Sequence, residues 1–310
     1  MPRKKTVIVT GGAGFIGSHV VDELTDRGFK VHVVDDLSTG FRSHVNRKAK
    51  LHILDIRSDR FSNLVKRLKP ASVVHLAAHI DLRRSVEEPR YDADINIIGG
   101  LNVLEACRDA GVRHLVFASS AAVYGNTKKL PASESLPTAP NSPYGISKAV
   151  FEDYLRFAQD TYDIKCVSLR FANVYGPRQS VQGEAGVVAI FLSRLLSGND
   201  AVINGDGGQT RDFIYVGDVA RMVVIAVSRS LSGVYNVSTG KESSVNRLYR
   251  EICSVSGIKR RAVRGPAKAG DERRVSLSPA KAKRSLRWKP KVSLKEGIQK
   301  TYDWWRKEMG

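Results

Sequence analysis

Short apolar runs recur through the first half of the chain, with helix-like patterns between them. Val7-Ile8-Val9, Val31-His32-Val33-Val34, Leu51-His52-Ile53-Leu54, Val73-Val74-His75-Leu76 and His114-Leu115-Val116-Phe117 read as parallel strands buried on both faces. Cys166-Val167-Ser168-Leu169 reads as a sixth. Between the first two runs, Ile16, Val20 and Leu24 share one helical face, and Gly28 stands where a helix C-terminus favours glycine. Ile98, Leu101, Leu104 and Cys107 repeat that pattern, with Gly111 as the stop. Strand–helix–strand alternation of this kind predicts an α/β fold, a doubly wound parallel sheet of Rossmann type.

The rhythm changes after Leu169. A loop rich in Gly and Gln (Tyr175 to Gly186) leads to an apolar helical run, Val187 to Leu196, and then to turn signals at Gly198-Asn199 and Gly205-Asp206-Gly207-Gly208. The remainder reads as irregular and basic, ending in an amphipathic stretch from Leu294 to Trp305. These changes predict a first domain over residues 1–172, with a later strand returning to it near 213–238. A smaller α/β domain then covers mainly 173–310, over the C-terminal edge of the sheet, where open α/β sheets bind ligands.

At 310 residues the chain is long enough for two domains of about 150 each. Hydrophobic residues make up 42% and charged residues 26%, which excludes wholesale disorder. No apolar run approaches the roughly 18 residues of a membrane span, and Val7-Ile8-Val9 is too short for a secretory core of about 7–15. Cys107, Cys166 and Cys253 are few, scattered and free of any C-x-x-C pattern; they imply a reduced, cytoplasmic protein with no disulfide framework and no metal site. Charge is the unusual number: 50 Lys+Arg against 31 Asp+Glu, a net of +19. From Lys259 to Lys291 there are thirteen basic residues and two acids, Asp271 and Glu272. Such a field favours anionic partners, although net charge speaks first to solubility. The segment lacks the interleaved aromatics of a nucleic-acid platform, so no specific nucleic-acid binding is expected.

Val7-Ile8-Val9-Thr10-Gly11-Gly12-Ala13-Gly14-Phe15-Ile16-Gly17 is a strand running through a glycine turn into a helix. Gly12-x-Gly14-x-x-Gly17 and Gly11-x-x-Gly14-x-x-Gly17 both fit dinucleotide fingerprints, which let the backbone approach a pyrophosphate resting on the helix N-terminus. The second strand ends in Asp35-Asp36, with Asp35 eighteen residues after Gly17. A carboxylate there accepts both ribose hydroxyls of NAD and repels the 2′-phosphate of NADP. The cofactor predicted is NAD.

Ser142-Pro143 reads as an N-cap and first helical residue, placing Tyr144 and Lys148 four apart on one face. Bringing a tyrosine from its reference pKa of about 10 to near 7 needs roughly 4 kcal/mol of preferential stabilisation of the phenolate. A neighbouring ammonium, with the positive nicotinamide ring, can supply that. Ser119-Ser120 follows the fifth strand, where a serine can hydrogen-bond a reacting oxygen.

Taken together, the glycine turn, Ser-Ser-x-x-Val-Tyr-Gly (Ser119 to Gly125), Tyr-x-x-x-Lys and Arg-Phe-x-Asn-Val-Tyr-Gly-Pro (Arg170 to Pro177) resemble the extended short-chain dehydrogenase/reductase family. Gly205-Asp206-Gly207-Gly208-Gln209-Thr210-Arg211-Asp212-Phe213 is similar to its nucleotide-sugar enzymes, and the likeness runs from about Thr6 to Pro290. Dehydratases of the family carry an acidic pair before Val-Tyr-Gly, and decarboxylases a glutamate; this chain has Ala121-Ala122. The resemblance therefore points to the UDP-glucose 4-epimerase branch, isomerases that oxidise C4 of a UDP-hexose and return the hydride to the other face, with NAD held through turnover. UDP-glucose/UDP-galactose is the expected pair, with UDP-N-acetylhexosamines also admitted.

What the resemblance implies for individual residues is as follows. Ser120, Tyr144 and Lys148 are catalytic; Ser120 and Tyr144 also meet the substrate. The cofactor is held by Gly11, Gly14, Phe15, Ile16, Gly17, Asp35, Asp36, Asp55, Ile56, Leu76, Ala77, Ala78, Asn96, Ser119, Tyr144 and Lys148. The nucleotide diphosphate is held by Asn173, Val187, Asn204 and Arg211. Lys268 stands where relatives present a second arginine, with Arg273 as a substitute, and Val275 falls at a position gating the C2 substituent of the sugar. His79 and Asp81 replace uncharged polar residues; His79 reads as a neutral packed histidine or a sugar contact. A homodimer through the helices around 95–110 and 144–162 is implied. Two other readings stay open: another nucleotide-sugar enzyme (a uronate epimerase, dehydratase or decarboxylase), and a non-catalytic nucleotide- or RNA-binding scaffold.

Overall fold

The computed structural model describes residues 5–181, 186–267 and 272–309. The alternation read from the sequence is realised element by element: β1 (Thr6–Thr10), α1 (Phe15–Asp26), β2 (Lys30–Asp35), β3 (Lys50–Ile53), α2 (Asp59–Leu68) and β4 (Ser72–His75). Next come α3 (Leu82–Glu87), α4 (Pro89–Ala93), a π-helical segment (Asp94–Ile98), α5 (Gly99–Ala110) and β5 (His114–Ser120). A 3-10 turn (Ala121–Tyr124), α6 (Pro143–Tyr162) and β6 (Lys165–Phe171) follow. The second half carries β7 (Asn173–Tyr175), α7 (Val187–Leu196), β8 (Val202–Asn204), β9 (Thr210–Arg211), β10 (Phe213–Tyr215) and α8 (Val216–Arg229). It ends with β11 (Gly233–Val237), β12 (Ser243–Ser244), α9 (Val245–Ser256), β13 (Val263–Gly265), α10 (Ala280–Leu286) and α11 (Leu294–Met309).

One sheet has seven strands in the order β11-β6-β5-β4-β1-β2-β3, and the pairs from β3 to β5 are parallel. Strand order reverses between β1 and β4, the switch point at which doubly wound sheets bind ligands beyond their strand ends. The expected Rossmann fold is therefore present. Gly28 and Gly111 take positive φ, +83° and +70°, just past α1 and α5, as helix stops. Ser142 caps α6, its Oγ accepting from the Gly145 N–H at 3.1 Å, with Pro143 in the first turn.

The described chain forms two compact units. The first takes the chain up to Gly125 with Pro137–Arg170 and Ala220–Tyr235; the second takes Asn126–Leu136, Phe171–Val219 and the chain from Asn236. In the first, Ile8, Val34, Phe61, Val73, Leu115, Phe117 and Phe151 make one buried cluster. In the second, Tyr175, Phe191, Leu192, Phe213, Leu248, Ile252 and Ile298 make another. Each such side chain contributes about 1.5–3 kcal/mol by leaving water.

The stretch expected to be irregular is largely helical. The β-branched run Met222-Val223-Val224-Ile225-Ala226-Val227 has strand propensity, yet it lies in α8, where all but Ile225 are buried. Propensity is a weak prior, and burial overrides it. In α9, Ser244 is the N-cap, accepting from the Arg247 N–H at 3.2 Å, and Gly257 closes the helix at φ +71°.

Candidate functional site

At the C-terminal end of β1 the backbone turns at Gly11, whose φ is +69°. A Cβ there would lie 2.6 Å from the Ala77 nitrogen, and one on Gly17 would collide with the Gly11 carbonyl oxygen. Only glycine permits this packing of turn, helix and the β4 strand end. Gly14 is the N-cap of α1 with no side-chain cap, and the first turn, which begins Phe15-Ile16-Gly17, holds no acid. That end favours an anion.

Asp35 closes β2 and is buried. Its Oδ2 accepts from the Ala13 N–H in the glycine turn, and its Oδ1 from the Leu37 N–H, each at 2.9 Å. Burial pushes its pKa up, against the pull of those two bonds. Asp36 is exposed and turns back to the Ser38 N–H and hydroxyl. After β3, Asp55 accepts twice from Nε of Arg57, which also pairs with Asp94. The Arg57 hydrogen bonds hold the Asp55 carboxyl below its ordinary range. Ile56 is buried and its carbonyl accepts from Asn102. Leu76, Ala77 and Ala78 run half-buried from β4; the Leu76 and Ala77 N–H groups both donate to Thr10 Oγ1, at 3.2 and 3.3 Å. These residues fit a dinucleotide. The glycine cradle leaves no room for a Cβ, the helix end lacks a competing acid, and a fixed carboxylate stands at the end of β2.

The reaction side of the first unit is built on α6. Tyr144 hydrogen-bonds the Ser120 hydroxyl, and Ser120 Oγ also accepts from the Ala122 N–H at 3.2 Å. Lys148, one turn further, is buried; its Nζ donates to the Ala118 carbonyl at 3.1 Å and lies 5.7 Å from the Tyr144 ring centre. Burial pushes the Tyr144 phenol up to about 12, although the Ser120 hydrogen bond opposes it and the Asp92 charge adds to it. Burial pulls the Lys148 ammonium down to about 8, against the pull of Asp92 and Glu152. A hydroxyl, a phenol and an ammonium thus converge where a proton can be exchanged with a ligand oxygen, and Ala121-Ala122 put no carboxylate beside them.

Behind this group sit Glu152, Arg170 and Asp92, to which the sequence reading gives no role, together with Ser119, Asn96, His79 and Asp81, which it singles out. Ser119 donates to Glu152 Oε1 at 2.5 Å, and Glu152 holds Arg170 in a buried ion pair. Asn96, on the π-helical segment, is buried, taking the His79 N–H and donating to the His79 carbonyl, both at 2.9 Å. Asp92, 1% exposed, accepts from Asn96 Nδ2 at 2.9 Å and faces His79 Nδ1 at 3.2 Å. His79 is therefore an acid-paired histidine rather than a merely packed one, and its Nε2 is buried without a hydrogen-bond partner. Asp81 caps α3 through the Arg83 and Arg84 N–H groups. The spacing Tyr144, Lys148, Glu152 was a readable signal for Glu152, three residues on one helix face. Asp92 left no comparable mark.

In the second unit, Asn173 is exposed, and Val187, Asn204 and Val275 are half-buried. Arg211 on β9 donates to the Thr210 and Glu272 carbonyls, at 2.8 and 2.7 Å. Arg273 forms a two-pronged ion pair with Asp206, at 2.7 and 2.8 Å. Arg274 pairs likewise with Glu242, whose carboxyl that contact holds down to about 2. Lys268 lies outside the described residues.

Residues 7–238 match the NAD dependent epimerase/dehydratase family. The UDP-glucose 4-epimerase of Mycolicibacterium smegmatis is 41% identical over 306 residues, covering 96% of this chain and 98% of that one. The crystal structure of UDP-glucose 4-epimerase from Thermotoga maritima with UDP-glucose superposes with a TM-score of 0.95 at 42% identity, covering 98% of this chain and all of that one. The Thermus thermophilus UDP-glucose 4-epimerase complex with NAD gives 0.92 at 43% identity, covering 97% and 99%. Fold, glycine turn and full-length similarity agree, and the chain belongs to the NAD dependent epimerase/dehydratase family.

Proposed function

We propose that this chain is an NAD-dependent isomerase that inverts C4 of a UDP-hexose. The observation that carries the reading is the convergence of Ser120, Tyr144 and Lys148 beside a turn that offers no carboxylate at Ala121-Ala122. Gly11, Gly14, Phe15, Ile16 and Gly17 hold the pyrophosphate of NAD, and Asp35 its adenosine ribose. Asp36, Asp55, Ile56, Leu76, Ala77, Ala78, Asn96 and Ser119 complete the cofactor contacts. Bound NAD supplies a hydride acceptor that also returns the hydride, so the sugar passes through a 4-keto form with no net redox change.

The chain's own residues move the proton. Tyr144, as phenolate, takes the O4 proton while Ser120 hydrogen-bonds that oxygen, and the same phenol gives the proton back after the sugar has turned. Lys148 lies beside the ring as a fixed cation and favours the phenolate. An acid at position 121 or 122 is what elimination or decarboxylation would need, and this turn has alanines there. In the second unit, Asn173, Val187, Asn204 and Arg211 take the nucleotide diphosphate, with Lys268 or Arg273 as a further cation. Arg273 must leave Asp206 to do so. Val275 faces the C2 substituent and, being small, leaves room for an N-acetyl group.

Self-association fits one more feature. Ile146, Val150, Tyr154 and Phe157 share one face of α6, and three of them are exposed at 47%, 39% and 50%, with Ile98 at 54%. An apolar stripe of this kind is covered by a second copy in a helical homodimer. The free cysteines fit the reducing cytoplasm.

Incubating the purified protein with UDP-galactose, and separately with UDP-N-acetylgalactosamine, without added cofactor tests the reading. The C4 epimer is the expected product, and the faster substrate reports on Val275. No epimer from either, even with NAD added, overturns it.

A further inference from the structure

Asp92 is a carboxylate almost wholly removed from water, on a short helix that packs against α6. Burying such a group is costly unless hydrogen bonds hold it. They are present. Asn96 Nδ2 donates to it at 2.9 Å and reaches Ser147 Oγ at 3.3 Å, while His79 Nδ1 faces it at 3.2 Å. Ser147 lies between Tyr144 and Lys148 on α6, and its hydroxyl donates to the Tyr144 carbonyl at 2.9 Å. The Tyr144 N–H in turn donates to Ser85 Oγ of α3 at 3.3 Å. One hydrogen-bonded frame thus joins Asp92 to the turn of α6 that carries the phenol and the ammonium.

We propose that Asp92 is an electrostatic positioning residue of the epimerase centre, a buried carboxylate fixed by His79 and Asn96 that sets the protonation of Tyr144 and Lys148 together. The inference rests on the reaction proposed above. It gives His79 a role too: Nδ1–H is turned to the carboxylate, which fixes the ring orientation.

Among the described residues, the charged and titratable groups around Tyr144 and Lys148 are few. Asp92 comes from α4 and His79 from the segment after β4. Glu152 stands on the next turn of α6, with Arg170 of β6 behind it. His75 of β4 is kept neutral by burial and by Lys148. Glu152 is already matched by Arg170, which leaves Asp92, held by Asn96 and facing His79, as the other negative charge acting on both groups among the described residues. A negative charge favours the neutral phenol over the phenolate and the ammonium over the amine, so it raises both pKa values. Removing it must lower both.

The test is the pH dependence of kcat with UDP-galactose. In D92N both limbs of the profile move to lower pH, each by about one unit, because the Tyr144 and Lys148 values both fall. Loss of packing alone would lower the plateau and leave the limbs in place. D92E keeps the charge and leaves the limbs where they were. H79K sets a cation against Asp92, shifts the limbs as D92N does, and serves where D92N fails to fold. A second readout needs no turnover. Ultraviolet difference titration of the phenolate in the NAD-loaded protein, with the Y144F signal subtracted, shows a lower midpoint in D92N. Unmoved limbs and an unmoved midpoint in folded protein overturn the assignment. If the wild type fails to turn over UDP-galactose, the proposed reaction fails instead, and the phenolate titration alone decides for or against Asp92.

Discussion

Glu152 and Arg170 form an ion pair whose side chains are only 7% and 6% exposed, with Arg170 Nη2 at 2.5 Å from Glu152 Oε2. The pair ties α6 to β6 one turn beyond Lys148, and Ser119 donates into the same carboxylate. The Arg170 guanidinium also stacks 4.7 Å from the Tyr124 ring centre.

Arg170→Met strands Glu152 as a buried charge with only Ser119 to hold it. Breaking a buried pair from one side costs about 3–5 kcal/mol, much more than an exposed pair. Denaturant unfolding should show a loss of that size. For comparison, Arg113→Met removes an ion pair to Asp163 that is 67% and 91% exposed, and should change stability by less than about 1 kcal/mol. Equal losses at the two sites would refute the assignment of Glu152–Arg170 as a structural tie.

Tyr144→Phe deletes the proposed proton acceptor and leaves the ring in place. Turnover should fall by at least about 100-fold, the lower bound for losing a positioned acid–base group. NAD should still be recovered from the denatured protein in the wild-type proportion, because the glycine turn and Asp35 are untouched. Turnover near the wild-type level would remove Tyr144 from the mechanism.

Much of this centre was readable before any coordinates. The glycine turn, Asp35, Ser120 and the Tyr144–Lys148 pair are local patterns, each within one strand end or one helix turn, and local patterns are what periodicity and spacing report. Asp92, His79 and Asn96 were not readable as a group. Their meeting depends on how α4 and the π-helical segment pack on α6, a long-range event without a spacing signature. α8 was missed for a related reason, since its β-branched run announces burial and leaves the backbone state open. Arg273 shows the limit from the other side: its place in the sequence suggested a phosphate ligand, while its side chain is taken by Asp206, sixty-seven residues away.

Asp35→Ala should shift the cofactor preference toward NADP. It removes a carboxylate from the end of β2 and with it the repulsion toward a 2′-phosphate. Loss of the proposed charged hydrogen bonds to the ribose should weaken NAD by at least about tenfold. Extraction and chromatography of the bound dinucleotide after incubation with an equal mixture should show less NAD and a larger share of NADP. The Ala13 and Leu37 N–H groups lose their acceptor as well, so thermal unfolding is followed in parallel. An unchanged dinucleotide ratio would show that Asp35 only braces the turn.

Phe157→Glu, alone or with Ile146→Glu, places charge on the exposed stripe of α6. Sedimentation should show the wild type as a dimer and the double variant as a monomer. Both positions face outward, so the monomer should keep its fold by circular dichroism. A wild type that sediments as a monomer across the accessible concentration range would leave the stripe without its proposed partner.

Three buried histidines should make the protein sensitive to mild acid. Burial pulls His32 and His114 down to about 4 and His75 to about 3. His114 shows why. Its Nε2–H donates to the Leu231 carbonyl at 3.1 Å, so Nδ1 is left to accept from the Ser72 hydroxyl at 2.9 Å, and the neutral ring is satisfied at both nitrogens. A second proton would have to displace the bond from Ser72. In the unfolded chain these rings titrate near pH 6.5, so between about pH 6.5 and 4 the unfolded state binds more protons. Stability therefore falls as the pH falls through that window and is insensitive to these rings above it. Each ring contributes a slope of up to about 1.4 kcal/mol per pH unit. His114→Gln can keep the bond to Leu231 but cannot titrate, so denaturant unfolding from pH 7 to pH 4 should show a slope lower by close to one proton. An identical slope in wild type and variant would mean that His114 is protonated in the folded protein, against the hydrogen bonds that define its tautomer.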